Sequence, residues 1–205
     1  MMKKRGIIVL AGGLGLRMGG KNKPLIKLKD KTMIEHVVGK ALKVSKNIGI
    51  SINKNQNPKF FKKIFPSLPV WKDEFSGGGP LAGIVTGIKK LNAEYVAVLS
   101  CDTPFVNSEV LRYLFKKVEG FDAAVPIWPN GFLEPLLAVY KTKSFLPLAK
   151  DALKKSSFSI FKIIKKLKNP LHVPVETLKA IDPDLKTFFN INTLEDLERA
   201  LSMYE

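Results

Sequence analysis

Ile7-Ile8-Val9-Leu10-Ala11-Gly12-Gly13-Leu14-Gly15-Leu16-Arg17-Met18-Gly19-Gly20-Lys21-Asn22-Lys23-Pro24 is the stretch whose reading decides the fold. Its apolar opening, Ile7 to Leu10, is continuous rather than alternating and rich in β-branched residues, the pattern of a strand buried on both faces of a parallel sheet. The glycines that follow let backbone N–H groups converge on an anion, and Arg17 and Lys23 add positive charge where a polyphosphate would lie. Five glycines, an Arg and a Lys within twelve residues set this apart from a simple flexible connection. Two familiar phosphate-binding patterns are excluded. Gly13-Leu14-Gly15 begins a G-x-G-x-x-G, but Met18 occupies the third glycine position. The spacing from Gly15 to Gly20-Lys21 matches a Walker A loop, but Asn22 replaces its Ser/Thr, and Lys23-Pro24 interrupts the helix that should follow.

Working outward, Thr32 with Glu35 three residues later reads as a capping box opening a helix with an apolar side of Ile34, Val37, Val38, Ala41, Leu42 and Val44. Ile48–Asn53 reads as a strand, Asn57-Pro58 as the start of a short helix, and Leu68–Trp71 as a third strand. Gly77-Gly78-Gly79-Pro80 leads into a helix ending near Leu91, with the proline in its first turn. Tyr95–Cys101 is the most strand-like segment and ends at Asp102. A helix from Ser108 follows, then strands over Ala123–Ile127 and Leu136–Tyr140. Ser144–Leu153 and Ser159–Leu167 read as amphipathic helices and Phe188–Ile191 as a short strand. Thr193 caps a final helix that carries Glu195 and Asp196 in its first turn. This alternation predicts an α/β fold, one domain over residues 1–205, with a mostly parallel central sheet and helices on both faces. The loops at the carboxyl ends of its strands should build the site.

Composition narrows the class. In 205 residues, 45% are hydrophobic and 25% charged, which is globular rather than disordered. One cysteine, Cys101, excludes an internal disulfide and a cysteine-cluster metal site, and His36 and His172 read as structural. The basic start is followed by an apolar run too short for a leader, and no stretch approaches the ~18 apolar residues of a membrane span. A cytoplasmic, reducing location is expected. Lys+Arg number 34 against 18 Asp+Glu, a net charge of +16, but only Arg5, Arg17, Arg112 and Arg199 are arginines. The lysines are spread along the chain, as on a solvated surface, whereas nucleic-acid readers favour Arg and interleave basic with aromatic residues on one face. A basic nucleic-acid-binding protein is therefore the alternative from another class, and a small anionic substrate accounts for the charge equally well.

Further candidates lie after the strands. Asp102, in Ser100-Cys101-Asp102-Thr103-Pro104, is placed to hold a hard cation such as Mg²⁺. Cys101 reads as a buried small residue rather than a nucleophile. Gly79-Pro80-Leu81-Ala82-Gly83 opens a helix whose N–H groups could meet an anion or a base edge. Asp73 precedes it and could hydrogen-bond a base or ribose. Asn190 and Asn192 offer donors and acceptors for a substrate phosphate or a second metal, or else belong to a turn and helix cap.

Together these segments resemble the molybdenum cofactor guanylyltransferase family, within the larger nucleotidyltransferase fold. The matching residues are Leu10-Ala11-Gly12-Gly13, Arg17-Met18-Gly19-Gly20, Lys23, Asn53, Asp73, Gly79 to Gly83, Cys101-Asp102-Thr103-Pro104, Glu134-Pro135-Leu136 and Phe189 to Thr193, in the family's order over residues 7 to about 200. The Gly-Pro-Leu-Ala-Gly and Cys-Asp-Thr-Pro pair resembles the guanylyl branch. One departure is Asn22, where the family carries Asp: the charge is lost and the hydrogen-bonding shape largely kept. The runner-up is a cobinamide-phosphate guanylyltransferase, whose opening is similar through Lys23-Pro24-Leu25-Ile26 and which lacks the Gly-Pro-Leu-Ala-Gly stretch, or another small-molecule nucleotidyltransferase.

The resemblance implies a three-layer Rossmann-like nucleotidyltransferase fold. It also implies transfer of GMP from GTP to the terminal phosphate of molybdopterin, with Mg²⁺ as cofactor. It places Leu10, Ala11, Gly12, Gly13, Lys23, Asn53, Asp73, Gly79, Gly83 and Asp102 around GTP, the metal on Asp102, and catalysis on Lys23, Arg17 and Asp102. The implied partners are GTP and molybdopterin or its molybdenum form, with transient contact with other molybdenum cofactor proteins and no membrane.

Overall fold

The computed structural model describes residues 4–13 and 22–203. The elements in chain order are β1 (Arg5–Leu10), a 3-10 turn (Lys23–Leu25), β2 (Lys27–Leu28), β3 (Lys31–Thr32), α1 (Met33–Leu42), β4 (Ile48–Ile52), α2 (Pro58–Ile64), β5 (Val70–Lys72) and α3 (Gly79–Leu91). They continue with β6 (Tyr95–Ser100), α4 (Ser108–Lys117), β7 (Ala123–Ile127), β8 (Leu137–Lys141), α5 (Thr142–Lys154), α6 (Ile160–Ile164), β9 (Pro170–Pro174), α7 (Val175–Leu178), a 3-10 turn (Lys186–Phe188) and α8 (Leu194–Ser202).

The main sheet runs β5-β4-β1-β6-β8-β7-β9. The ladders from β5 through β4 and β1 to β6 are parallel, as is β7 with β9, while β8 runs antiparallel to both its neighbours. The continuous apolar run is accounted for: β1 is central, and Ile7, Ile8 and Val9 are all fully buried. Ile7 and Val9 join the cluster containing Ile34, Val37, Val38, Leu111 and Phe115, on the face covered by α1 and α4. Ile8 and Leu10 join the cluster on the other face with Ile84, Val85, Phe145 and Ile163, covered by α3, α5 and α6.

Helices on both faces follow from the strand order. From β1 the chain moves one way to β4 and β5, then returns past β1 to β6. Right-handed crossovers place the connecting helices on opposite faces when the direction reverses. The reversal leaves a crevice outside the carboxyl ends of β1 and β6. Local signals agree. Thr32 and Glu35 make the capping box of α1 in both directions, and Thr193 with Asp196 does the same for α8.

Most boundaries match the sequence reading to within one or two residues. The expected strand at Phe188–Ile191 is not formed. The backbone N–H of Thr187 donates to Asp182 Oδ2 at 2.8 Å and that of Phe188 to the Leu185 carbonyl at 3.0 Å, so a local turn takes the groups a ladder would need. The Phe188 ring instead packs edge-on against Trp128, 5.4 Å between centroids. Conversely, β9 was not anticipated, because a strand bounded by Pro170 and Pro174 reads as a connection; its place at the sheet edge makes those prolines tolerable. His36 Nε2 lies 2.9 Å from the Leu28 carbonyl, and His172 is exposed on β9. Among the described residues, no helix is long and apolar enough to cross a membrane.

Gly87 shows how closely α3 lies on the sheet. A Cβ there would meet Ile8 Cδ1 and Cγ1 at 2.6 Å and Cγ2 at 3.0 Å. In a helix interior Gly→Ala gains about 1 kcal/mol of propensity, whereas overpacking a tight core costs about 1–3 kcal/mol. Three atoms of one stiff β-branched side chain must yield here, so packing should win. Gly87→Ala is expected to lower the thermal midpoint by several degrees; a raised midpoint would show that propensity dominates.

Candidate active site

The carboxyl ends of β1, β4 and β6, with the segment after β5, open onto one cleft of about 250 Å³. Its walls include Gly12, Gly13, Lys23, Asn53, Asp73, Gly79, Gly83 and Asp102, residues spread over 91 positions of sequence from Gly12 to Asp102. Leu10 and Leu136 form apolar parts of the lining. Gly12 and Gly13, which follow β1, and Asp102, which follows β6, thus line the same crevice at the β1/β6 reversal.

Asp102 is set rigidly. The Cys101 N–H donates to the Leu10 carbonyl at 3.0 Å, which extends the β1–β6 ladder by one residue before the chain turns. Lys23 Nζ donates to Asp102 Oδ2 at 2.7 Å and to Asn192 Oδ1 at 2.8 Å. The Lys23 and Asp102 side chains are only 11% and 18% exposed, so this pair is held mostly out of water. Asp102 Oδ1 is buried and has no hydrogen-bond partner among the described residues. A buried carboxylate oxygen without a partner is costly, and one facing a cleft invites a cation.

No group of three or more His, Cys, Asp or Glu side chains converges as a metal cage among the described residues. The orphaned Asp102 carboxylate oxygen suits a cation such as Mg²⁺, which takes one or two carboxylates and completes its shell with substrate phosphates and water. The residues present therefore fit a divalent ion held by Asp102 together with a nucleotide.

A second polar centre lies at the α3 end of the cleft. Ser51 Oγ donates to Asp73 Oδ1 at 2.6 Å. The Asp73 N–H donates to the Ile52 carbonyl at 2.9 Å, and the Glu74 N–H to Thr86 Oγ1 at 3.0 Å, which pins the turn after β5 against α3. Burial pushes the Asp73 carboxyl up to about 6, against the lowering effect of the Ser51 hydrogen bond. Gly83 gives this pair its room: a Cβ would come within 2.7 Å of Leu10 Cδ2 and 3.4 Å of Asp73 Oδ1. Gly79, at φ +55°, begins α3 in a backbone conformation that side chains disfavour.

Not every anticipated residue joins the cleft. Ala11 is fully buried beneath it, its N–H donating to the Ser51 carbonyl at 2.7 Å. Asn190 is exposed and its amide donates to the Phe188 carbonyl at 3.0 Å, closing its own turn, whereas Asn192 reaches Lys23. Arg17 lies outside the described residues. Ser51 and Gln56 were missed. Neither belongs to a motif, and the one available signal was the polar Ser51 within an otherwise apolar strand.

Cys101 lines the cleft but is only 3% exposed, and burial, followed by the neighbouring Asp102 charge, pushes its thiol well above the ordinary range. Iodoacetamide at about pH 8 is expected to leave it unmodified in the folded protein and to alkylate it in denaturant. Rapid alkylation of the folded chain, read by mass spectrometry, would contradict this.

Comparison with known proteins adds the lineage. A family model described as the MobA-like NTP transferase domain matches residues 7–169. A Methanosarcina mazei protein named "probable molybdenum cofactor guanylyltransferase" is 36% identical, covering 96% of this chain and 90% of its own. A Clostridium perfringens protein of the same name is 31% identical over the whole of both chains. The crystal structure of molybdopterin-guanine dinucleotide biosynthesis protein A from Archaeoglobus fulgidus is similar at TM-score 0.80 and 31% identity, covering 97% of this chain and 98% of that one. A 2-C-methyl-D-erythritol 4-phosphate cytidylyltransferase from Thermus thermophilus, covering 96% and 97%, shares the fold at TM-score 0.69 and 14% identity. With Gly12, Gly13 and Asp102 lining one cleft at the β1/β6 crevice, the chain belongs to the MobA-like NTP transferase domain family.

Proposed function

We propose that this protein transfers GMP from GTP to the terminal phosphate of molybdopterin, forming the guanine dinucleotide and releasing pyrophosphate. The observation that carries this reading is one cleft with two unlike polar ends. The Lys23–Asp102 pair, with its orphaned Oδ1, suits a triphosphate and a divalent cation. The Asp73–Ser51 pair beside Gly79 and Gly83 suits a base edge. Full-length similarity to proteins bearing the guanylyltransferase name supports the choice of donor and acceptor.

In the reaction an oxygen of the acceptor phosphate bonds to the α-phosphorus of GTP, and the bond from that phosphorus to the bridging oxygen breaks, releasing pyrophosphate. A phosphate monoester is already anionic near neutral pH, so no strong general base is required, in keeping with a cleft that contains no histidine among its described lining residues. Mg²⁺ held by Asp102 would supply charge neutralisation at the phosphate oxygens. Lys23 places an ammonium beside the same carboxylate and offsets charge developing on the α-phosphate and the leaving group, and Arg17 adds a second cation. Positioning and neutralisation make up most of the catalysis.

At the other end, the Asp73 carboxylate accepts from guanine N1–H and its exocyclic amino group, while the backbone N–H of Gly79, in the first turn of α3, is left to face the base and Gly83, without a side chain, leaves it room. Adenine and cytosine leave these groups mismatched. Unpaired buried polar groups cost about 1–3 kcal/mol each, enough for discrimination of tens to hundreds-fold. Competition among GTP, ATP and CTP at equal concentration, with molybdopterin and Mg²⁺, tests the reading. Guanine dinucleotide should predominate. Cytosine dinucleotide, or transfer only to cobinamide phosphate, would overturn it.

Asp102→Asn keeps the size but removes the charge, and turnover is expected to fall by at least about 100-fold at limiting Mg²⁺; near-native turnover would remove Asp102 from the metal site. A second expectation concerns pH. Protonated Asp73 cannot accept both guanine donors, so affinity should weaken as pH falls through about 6. Guanosine carries no phosphate to titrate, and its Kd should rise about tenfold between pH 7.5 and pH 5. Asp73→Asn should flatten that profile, and an unchanged profile in this variant would discount Asp73.

A further inference from the structure

Gln56 lies in the turn after β4, outside every motif, yet its residue is only 9% exposed. Its side chain makes three hydrogen bonds to three separate segments. Oε1 accepts from the Asn53 N–H at 2.7 Å. Nε2 donates to the Ala11 carbonyl at 3.0 Å and to Asn22 Oδ1 at 2.9 Å. The two backbone partners fix the amide's orientation, because an N–H can only donate and a carbonyl only accept. Asn22 is oriented in turn, since only its oxygen can face Nε2. Ala11 and Asn22 stand one residue before Gly12 and Lys23, both of which line the cleft, and a Cβ added at Gly13 would lie 3.8 Å from Lys23 Cδ.

We propose that Gln56 is a positioning residue for the triphosphate half of the cleft: it clasps Ala11 and Asn22 to the end of β4, so that the Gly12–Gly13 backbone and Lys23 share one rigid frame. The proposal rests on the GTP reading above. It assigns Asn22 a role as acceptor rather than as charge, a role that Asp at this position would also fill. The base end, built from Ser51, Asp73 and Gly83, takes no hydrogen bond from the Gln56 side chain.

The test is a comparison of GTP and guanosine affinities, by calorimetry with Mg²⁺, for the wild type, Gln56→Leu, Gln56→Glu and Asn22→Asp, each checked by thermal melting. Gln56→Leu should weaken GTP by at least about tenfold and guanosine by less than about twofold, because only the phosphate contacts lose their frame. Gln56→Glu should do the same, since it sets a carboxylate oxygen against the Ala11 carbonyl. Asn22→Asp should stay within about threefold of the wild type. Equal losses for GTP and guanosine would reduce Gln56 to a stability role and overturn the proposal, as would a Gln56→Leu variant with native GTP affinity. If both Gln56 variants fail to fold, Asn22→Leu, which removes one of the three bonds, must show the same split between the two ligands or the proposal fails. A wild type that prefers another triphosphate defeats the guanylyl reading alone, and the clasp is then tested with that nucleotide and its nucleoside. A wild type that binds no triphosphate defeats both.

Discussion

The site depends on one largely buried ammonium. Lys23 carries its charge in a setting where desolvation costs several kcal/mol, and it is stable there only because Asp102 and Asn192 meet it. Those partners lie 79 and 169 positions away in sequence. Satisfying Lys23 therefore requires that the Lys23–Leu25 turn, the end of β6 and the segment entering α8 arrive together. The C-terminal segment is tied in by a further contact, the Ile191 N–H donating to the Asp102 carbonyl at 2.9 Å. The Lys23–Asp102 end of the cleft and the closure of the fold are thus one structural problem.

The two polar ends of the cleft are supported by different faces of the sheet. The Asp73–Ser51 end leans on α3, whose buried face packs with Ile8, Leu10 and Phe145. The Lys23–Asp102 end leans on α1 and the short β2–β3 hairpin, with Leu28, Met33 and Ile191 forming a small apolar cluster of their own.

Much of this was legible before any coordinates. Ile7 to Leu10 announced a central strand because every position is apolar, and Asp102 drew attention by ending the most strand-like segment. Spacing, however, does not show which polar groups meet. The meeting of Lys23 with Asp102 and Asn192 is a product of strand order, and the Gln56 clasp uses two backbone partners that carry no side-chain signature. The reading of Phe188–Ile191 as a strand failed because an apolar pair in a local turn looks like a short β run; Phe188 and Ile191 are buried, but the N–H groups of Thr187 and Phe188 go to Asp182 and Leu185. The strand at Pro170–Pro174 was hidden for the opposite reason, since prolines argue against a strand unless it is known to lie at an edge.

Those prolines have a consequence for the protein in concentrated solution. An open sheet ends in rows of unsatisfied backbone groups that can template pairing with another chain. Here one border strand begins and ends with a residue that has no N–H to offer, and the opposite border, β5, is three residues long and bears Lys72 at its end. Neither border presents a long flat ribbon for strand addition. A net charge of +16 adds mutual repulsion, which opposes the same sheet-to-sheet association.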